Sequence, residues 1–221
     1  MQTKSHWPVA AAAGLSVAFA FGPTLAETPK RGGTLNFVVG SKIPSYDGHR
    51  ESTFGMIHPI RPFYSLLLRI NPDNPQSTTD FVCDACEGAV PKATNDGKRY
   101  TFKIRKDVFF HDGQQLTSAD VKATFEKIIF PPKGAASPRK AFFTSVEKVT
   151  APDKWTVVFD LKYPTTAFIP SAAMPFNFLF SKAKLDKDIH WYEKNIMGSG
   201  PFIFVQHQPG AFVEGKANPK F

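Results

Sequence analysis

Cys83 and Cys86, in the run Cys-Asp-Ala-Cys, have the spacing of a thiol–disulfide exchange motif. Such a pair is reactive when one thiol is held as a thiolate, which takes a helix N-terminus or a neighbouring positive charge. Here Asp80, Asp84 and Glu87 create a field that disfavours the thiolate, and Gly88 and Pro91 weaken any helix that would follow. A local disulfide is therefore the leading reading if the compartment is oxidising, with free thiols or redox activity as the alternative. Gly198-Ser199-Gly200 suggests a phosphate loop, but a Pro-led strand follows it instead of a helix N-terminus. The histidines (His6, His49, His58, His111, His190 and His207) show no metal-ligand spacing such as i, i+4 on a helix, so no metal site and no cofactor are expected. No G-x-S-x-G nucleophile motif is present, and no carboxylates are paired for acid–base work.

The N-terminus bears on the cysteines because it sets the compartment. Residues 1–26 read as a secretory signal: Lys4 supplies the positive region, Val9 to Gly22 an apolar run, and Thr24-Leu25-Ala26 small residues for cleavage after Ala26. The run is short for a membrane span, and no cysteine follows it to carry a lipid anchor; an uncleaved anchor is the alternative. The mature chain would begin at Glu27, outside the cytoplasm, where a disulfide is stable. Net charge is +8, but the basic residues form no dense Lys/Arg cluster and no basic helix face. That pattern describes a solvated surface and gives no footprint for nucleic acid.

The elements that would position these groups follow from periodicity. Tyr100, Phe102 and Ile104 alternate with polar residues as in a half-buried strand. Val108-Phe109-Phe110 is read as a second strand, closed by the Asp112-Gly113 turn. Thr117 is placed to cap a helix with Asp120 three residues on, and Val121, Phe125, Ile128 and Ile129 form one apolar stripe. Pro131-Pro132 ends it. Thr34–Val39 reads as a first strand buried on at least one face, Gly40–His49 as a loop, and the run from Pro62 to Arg69 as a helix. Val146–Thr150 and Trp155–Leu161 form a hairpin around Pro152-Asp153-Lys154. Lys182–Lys194 contains a short helix, and Gln208-Pro209-Gly210-Ala211 is a type II turn between two strands. With 42% apolar residues, 22 Phe and 19 Pro, the fold class is mixed α/β (α+β), rich in hairpins and with few long helices.

Two stretches carry a more specific signal: Tyr100–Val121, and Met197–Phe202 continuing to Gly215-Lys216-Ala217-Asn218-Pro219-Lys220-Phe221. In this order, and with Pro59–Arg69 before them, they resemble the N-terminal part of the family 5 extracellular solute-binding proteins, receptors of ABC importers for peptides, nickel and related solutes. The resemblance covers residues 32–221. It implies a periplasmic-binding-protein-like fold of two lobes closing over a ligand, of which this chain is expected to hold the N-terminal lobe incompletely and to lack the C-terminal one. It implies residues 32–46 and 182–221 as parts of the first lobe, with 47–181 as an inserted subdomain.

The function implied is capture of a small peptide-like solute in the periplasm for an ABC permease, by a monomeric protein that is not an enzyme. In oligopeptide-binding relatives, the loop corresponding to Glu51, Ser52 and Thr53 pairs with ligand backbone, which suits a receptor that accepts many side chains. Tyr46 and Phe54 are candidates for apolar walls, and Ser199 is a further ligand candidate near the turn that returns to the first lobe. The tryptophan that relatives carry near Pro91 is absent. The rivals from other classes are a secreted thiol-disulfide oxidoreductase using Cys83 and Cys86, and a secreted hydrolase with its active groups beyond Phe221.

Overall fold

The computed structural model describes residues 32–221, so the signal segment read over residues 1–26 lies outside the described part. The chain divides into Met1–Phe37 and Val38–Phe221. Residues 32–37 of the first unit carry neither helix nor strand.

The second unit contains α1 (Phe54–Ile60), β1 (Leu68–Ile70), β2 (Phe81–Cys83), β3 (Arg99–Lys103), α2 (Ser118–Ile129), β4 (Val146–Asp153), β5 (Thr156–Leu161), α3 (Phe168–Ala172), α4 (Lys182–Lys187), β6 (Phe202–Gln208) and β7 (Phe212–Ala217). Short 3-10 segments lie at Arg61–Phe63, Pro138–Phe143 and Trp191–Glu193. The strands form three antiparallel sheets: β1-β2, β3-β5-β4 and β6-β7. This is the mixed α/β content expected.

Helix α2 organises the larger core. Its stripe of Val121, Phe125, Ile128 and Ile129 is buried, as the periodicity predicts. Phe125 meets Phe159 of β5 edge-on at 4.9 Å and Phe143 at 6.0 Å. Tyr100 and Phe102 on β3, with Val157, Phe159 and Leu161 on β5, supply the facing side. Each such side chain contributes about 1.5–3 kcal/mol by leaving water. The helix start is fixed as the Thr117 and Asp120 spacing anticipates. One oxygen of Asp120 accepts from the backbone N–H and the hydroxyl of Thr117, both at 2.9 Å, and the other accepts the Lys182 N–H at 2.8 Å. Asp120 thereby ties α2 to the start of α4.

The opposite flank of α2 is also buried. Thr124 Oγ1 accepts the Phe180 N–H at 2.9 Å, and behind Phe180 lies a second, aromatic core. There Tyr64 stacks on Phe178 at 4.5 Å and Phe180 on Tyr192 at 3.7 Å. A helix buried on two sides leaves little room for polar residues, so those it carries inside must be partnered.

Three expectations need correction. Thr34–Val39 forms no strand. It has strand composition, but no described strand pairs with it, and Val38 is 96% exposed; unpaired backbone gains nothing from extension in water. The helix read from Pro62 ends where it was to begin: α1 precedes it, and Tyr64–Leu67 runs extended into β1. A run buried on all sides has no periodicity to separate helix from strand. Val108–Phe110 forms no strand, only an isolated bridge between Phe109 and Gln115. It folds on itself instead, with Leu116 N–H donating to Val108 O and Phe110 N–H to Gln114 O. The Asp112-Gly113 turn at its tip does form, with Gly113 at φ +88°. The Val146–Leu161 hairpin and the Gln208–Ala211 turn are formed as read.

Candidate functional site

The segment Ser45–Phe54 is built by its own polar groups. Asp47 Oδ1 accepts the His49 N–H at 2.8 Å, and the Asp47 carbonyl accepts the N–H groups of Arg50 and Glu51 at 3.1 and 3.0 Å. These bonds curl the chain into one tight turn before α1. Gly48 lies at the inside of the curl, where a Cβ would sit 2.4 Å from the Phe178 ring. No larger residue fits without moving that ring.

Beneath the turn is a layer of buried charge. Lys127, on α2, donates to Asp47 Oδ2 at 2.5 Å, and the two residues are 4% and 2% exposed. The ammonium also lies 5.4 Å from the centre of the Phe180 ring. His49 is fully buried, packs on Phe180 and bonds the Phe178 carbonyl through Nε2 at 2.8 Å. Burial, reinforced by the positive charge of Lys127, holds its pKa down at about 3, so the ring is neutral at pH 7. Among the described residues its Nδ1 has no partner.

Arg139 completes the layer from the 3-10 segment Pro138–Phe143. Its Nη2 donates to the carbonyls of Gly48 and Glu51, each at 2.5 Å, and its Nη1 lies 3.4 Å from Ser52 Oγ. The guanidinium covers the Phe176 ring at 4.6 Å. Burial lowers its pKa to about 10, which leaves it charged at neutral pH.

Above this layer the loop is open. Ser52, Thr53 and Phe54 are exposed, and Glu51 is half-buried. Burial raises the Glu51 carboxyl pKa, against the pull of Arg50 at 3.7 Å. The Phe54 ring stacks on His58 at 5.4 Å. Among the described residues, the N–H groups of Ser52 and Thr53 donate to no protein atom and the Ser52 carbonyl accepts from none. Such a stretch of exposed, unpaired backbone is chemically suited to hydrogen-bond another peptide. Tyr46 stands at the start of the same turn. Its hydroxyl bonds His207 Nδ1 on β6 at 2.6 Å, and its ring packs near Phe204. Tyr46 and Glu51–Phe54 thus lie on one stretch of chain, separated by the buried Asp47–His49.

The other predicted residues lie apart. Ser199 is 2% exposed, and its Oγ is buried with no partner among the described residues. Its neighbours explain the two glycines: a Cβ on Gly198 would come 2.1 Å from the Phe63 carbonyl, and one on Gly200 2.5 Å from the Tyr64 nitrogen. Here the chain is pressed flat against Phe63–Ser65, with Gly200 N–H donating to Phe63 O. Cys83 and Cys86 form a disulfide, as the leading reading had it. Cys86 is buried, and the pair follows β2 with no helix behind it. Among the described residues, no group of three or more His, Cys, Asp or Glu side chains could hold a metal.

Sequence reading missed Asp47, His49, Lys127 and Arg139. The partners of their buried side chains lie 80, 91 and 129 positions away. Lys127 stands next to the apolar stripe of α2, a place where a lysine normally reaches water.

A family model described as bacterial extracellular solute-binding proteins, family 5, matches residues 84–221. The probable D,D-dipeptide-binding periplasmic protein of Escherichia coli K12 is 30% identical over 72% of this chain and 31% of its own length. A glutathione-binding protein of Pectobacterium atrosepticum is 28% identical over 97% of this chain and 38% of its own length. The chain thus spans about a third of the relatives that it matches. Among solved structures, a binding protein of A. tumefaciens R10 in complex with mannopinic acid superimposes with a TM-score of 0.72 at 23% identity, covering 81% of this chain and 36% of that one.

Proposed function

Because the chain belongs to family 5 of the bacterial extracellular solute-binding proteins, we propose that it captures a small peptide-like solute in the periplasm and presents it to an ABC permease. The observation that carries this reading is the open backbone of Ser52 and Thr53, held over buried Arg139 and followed by the exposed Phe54. Backbone pairing lets one receptor take many sequences, because its partners are groups that every peptide has. Relatives named for binding a D,D-dipeptide and glutathione support the same ligand class.

In this reading Glu51, Ser52 and Thr53 contact the ligand backbone, while Tyr46 and Phe54 bound it. Ser199 reaches a ligand only if the packing around it opens. Residues 32–46 and 182–221 belong to one lobe, 47–181 is inserted into it, and a second lobe closes over the ligand. Residues 1–26 act as the export signal, cut after Ala26, and the receptor works as a monomer without chemical catalysis. The Cys83–Cys86 disulfide serves as a staple. A redox role would be favoured by a helix N-terminus at the pair, and no helix begins there among the described residues.

Isothermal titration of the protein, as its own gene encodes it, tests the reading. The probes are D-alanyl-D-alanine, glutathione and an L-tripeptide library. Saturable binding of at least one, weakened by Thr53→Pro, which removes a backbone donor, is expected. Failure of all three overturns the peptide assignment.

A further inference from the structure

The loop that offers its backbone to the ligand is held by a cation with no anion of its own. Arg139 is 3% exposed, yet among the described residues it makes no ion pair with a carboxylate. Its polar partners are two carbonyls and one hydroxyl, all on the segment Gly48–Ser52. Burying a guanidinium costs several kcal/mol unless its donors are satisfied. Packing alone would be served as well by an apolar side chain over Phe176.

What an arginine adds is its planar fork. One arm, Nη2, bonds both the Gly48 and the Glu51 carbonyls, and the second, Nη1, faces Ser52 Oγ at 3.4 Å, so the plane fixes three points of the chain between Gly48 and Ser52. With the Glu51 carbonyl turned inward to Nη2, the next two N–H groups are left without protein partners. The other end of the turn is fastened independently by the Asp47–Lys127 pair.

Resting on the function proposed above, we infer that Arg139 is a positioning residue for ligand capture: it touches no ligand, but its hold on the Gly48 and Glu51 carbonyls sets the presentation of Ser52 and Thr53. A ligand would then meet a loop whose ordering cost is already met, which raises affinity without an added contact.

The test compares wild type with Arg139→Lys and Arg139→Met. Lysine keeps the charge but, as a compact ammonium, loses the planar bridge. Amide hydrogen exchange is read without ligand, and affinity for D-alanyl-D-alanine, glutathione and the L-tripeptide library is read at temperatures where all three proteins are fully folded. Expected are faster exchange confined to residues 49–54, unchanged exchange in α2 and β5, and roughly tenfold weaker binding in both variants, a size typical of losing one pre-organising bond to a charged group. Arg139→Lys separates positioning from folding, since it should keep its melting temperature close to wild type while losing affinity. Undiminished binding in both variants, or unchanged exchange at residues 49–54, overturns the inference alone. Wild-type protein that binds none of the probes overturns the functional reading, and the inference falls with it.

Discussion

Replacing Lys127 with methionine should be among the most damaging single changes in the chain. The Asp47 carboxylate is 2% exposed and holds two strong bonds, one from Lys127 at 2.5 Å and one from the His49 N–H at 2.8 Å. Methionine fills the space of the lysine stem but leaves that carboxylate buried with a single N–H donor. Stranding a buried charge in this way costs about 3–5 kcal/mol. Loss of the ammonium from the Phe180 face adds about 0.5–1 kcal/mol. Against a total stability of about 5–15 kcal/mol, this is a large fraction. At about 2–4 °C per kcal/mol for a chain of this size, melting should fall by roughly 7–24 °C.

Urea unfolding followed by tryptophan fluorescence gives the free energy directly, and an unchanged slope would show that compactness is preserved. The decisive control is the double variant Asp47→Leu with Lys127→Met. Removing both charges restores a neutral interior, so the double variant should be more stable than either single one, with a coupling of about 2 kcal/mol or more. A single-variant loss under about 1 kcal/mol, or a double-variant loss equal to the sum of the singles, would refute the reasoning.

Three further outcomes follow from the same structure. His49 is held at a pKa of about 3 by burial and by Lys127, whereas an unfolded histidine titrates near 6.5. Between those values the unfolded chain carries a proton that the native chain refuses, so stability falls as pH drops, by up to about 1.4 kcal/mol per unit. Urea midpoints from pH 7 to 4 should show this slope flattened in His49→Gln, and identical slopes would contradict it. Gly198→Ala should cost about 3 kcal/mol, because its Cβ would come 2.1 Å from the Phe63 carbonyl. A melting curve equal to wild type would mean that the Phe63–Gly200 contact is not as drawn. The Cys83–Cys86 bridge closes so short a loop that opening it should cost only about 2 kcal/mol, and wild type should not reduce insulin. Reductase activity abolished by Cys83→Ser would revive the redox reading.

Much of this architecture is legible where local periodicity and one buried face coincide. The stripe on α2, the Thr117–Asp120 start and the β4–β5 hairpin all encode their environment within a few residues. The Tyr64–Leu68 run fails that condition, because it is buried on every side. Val108–Phe110 fails for another reason: its apolar residues suit a strand, but its partner is its own return past Asp112-Gly113.

The candidate site shows the same division. The half-buried Glu51 and the exposed Ser52–Phe54 are reached through a resemblance to a family, while the groups that hold them are not reached at all. Asp47, Lys127 and Arg139 are isolated charges in the sequence, and only the folded chain shows that each has lost its water. Lys127 in particular looks like the solvated neighbour of Glu126, whose real partner is Lys122.

The central claim is that the segment around Ser52 and Thr53 receives the backbone of a peptide-like solute. It is tested most directly by hydrogen exchange of the full protein with and without a saturating peptide found by titration. The Ser52 and Thr53 amides, which have no protein partner among the described residues, should become protected when the peptide binds. Tight binding that leaves both amides exchanging as freely as before would contradict it.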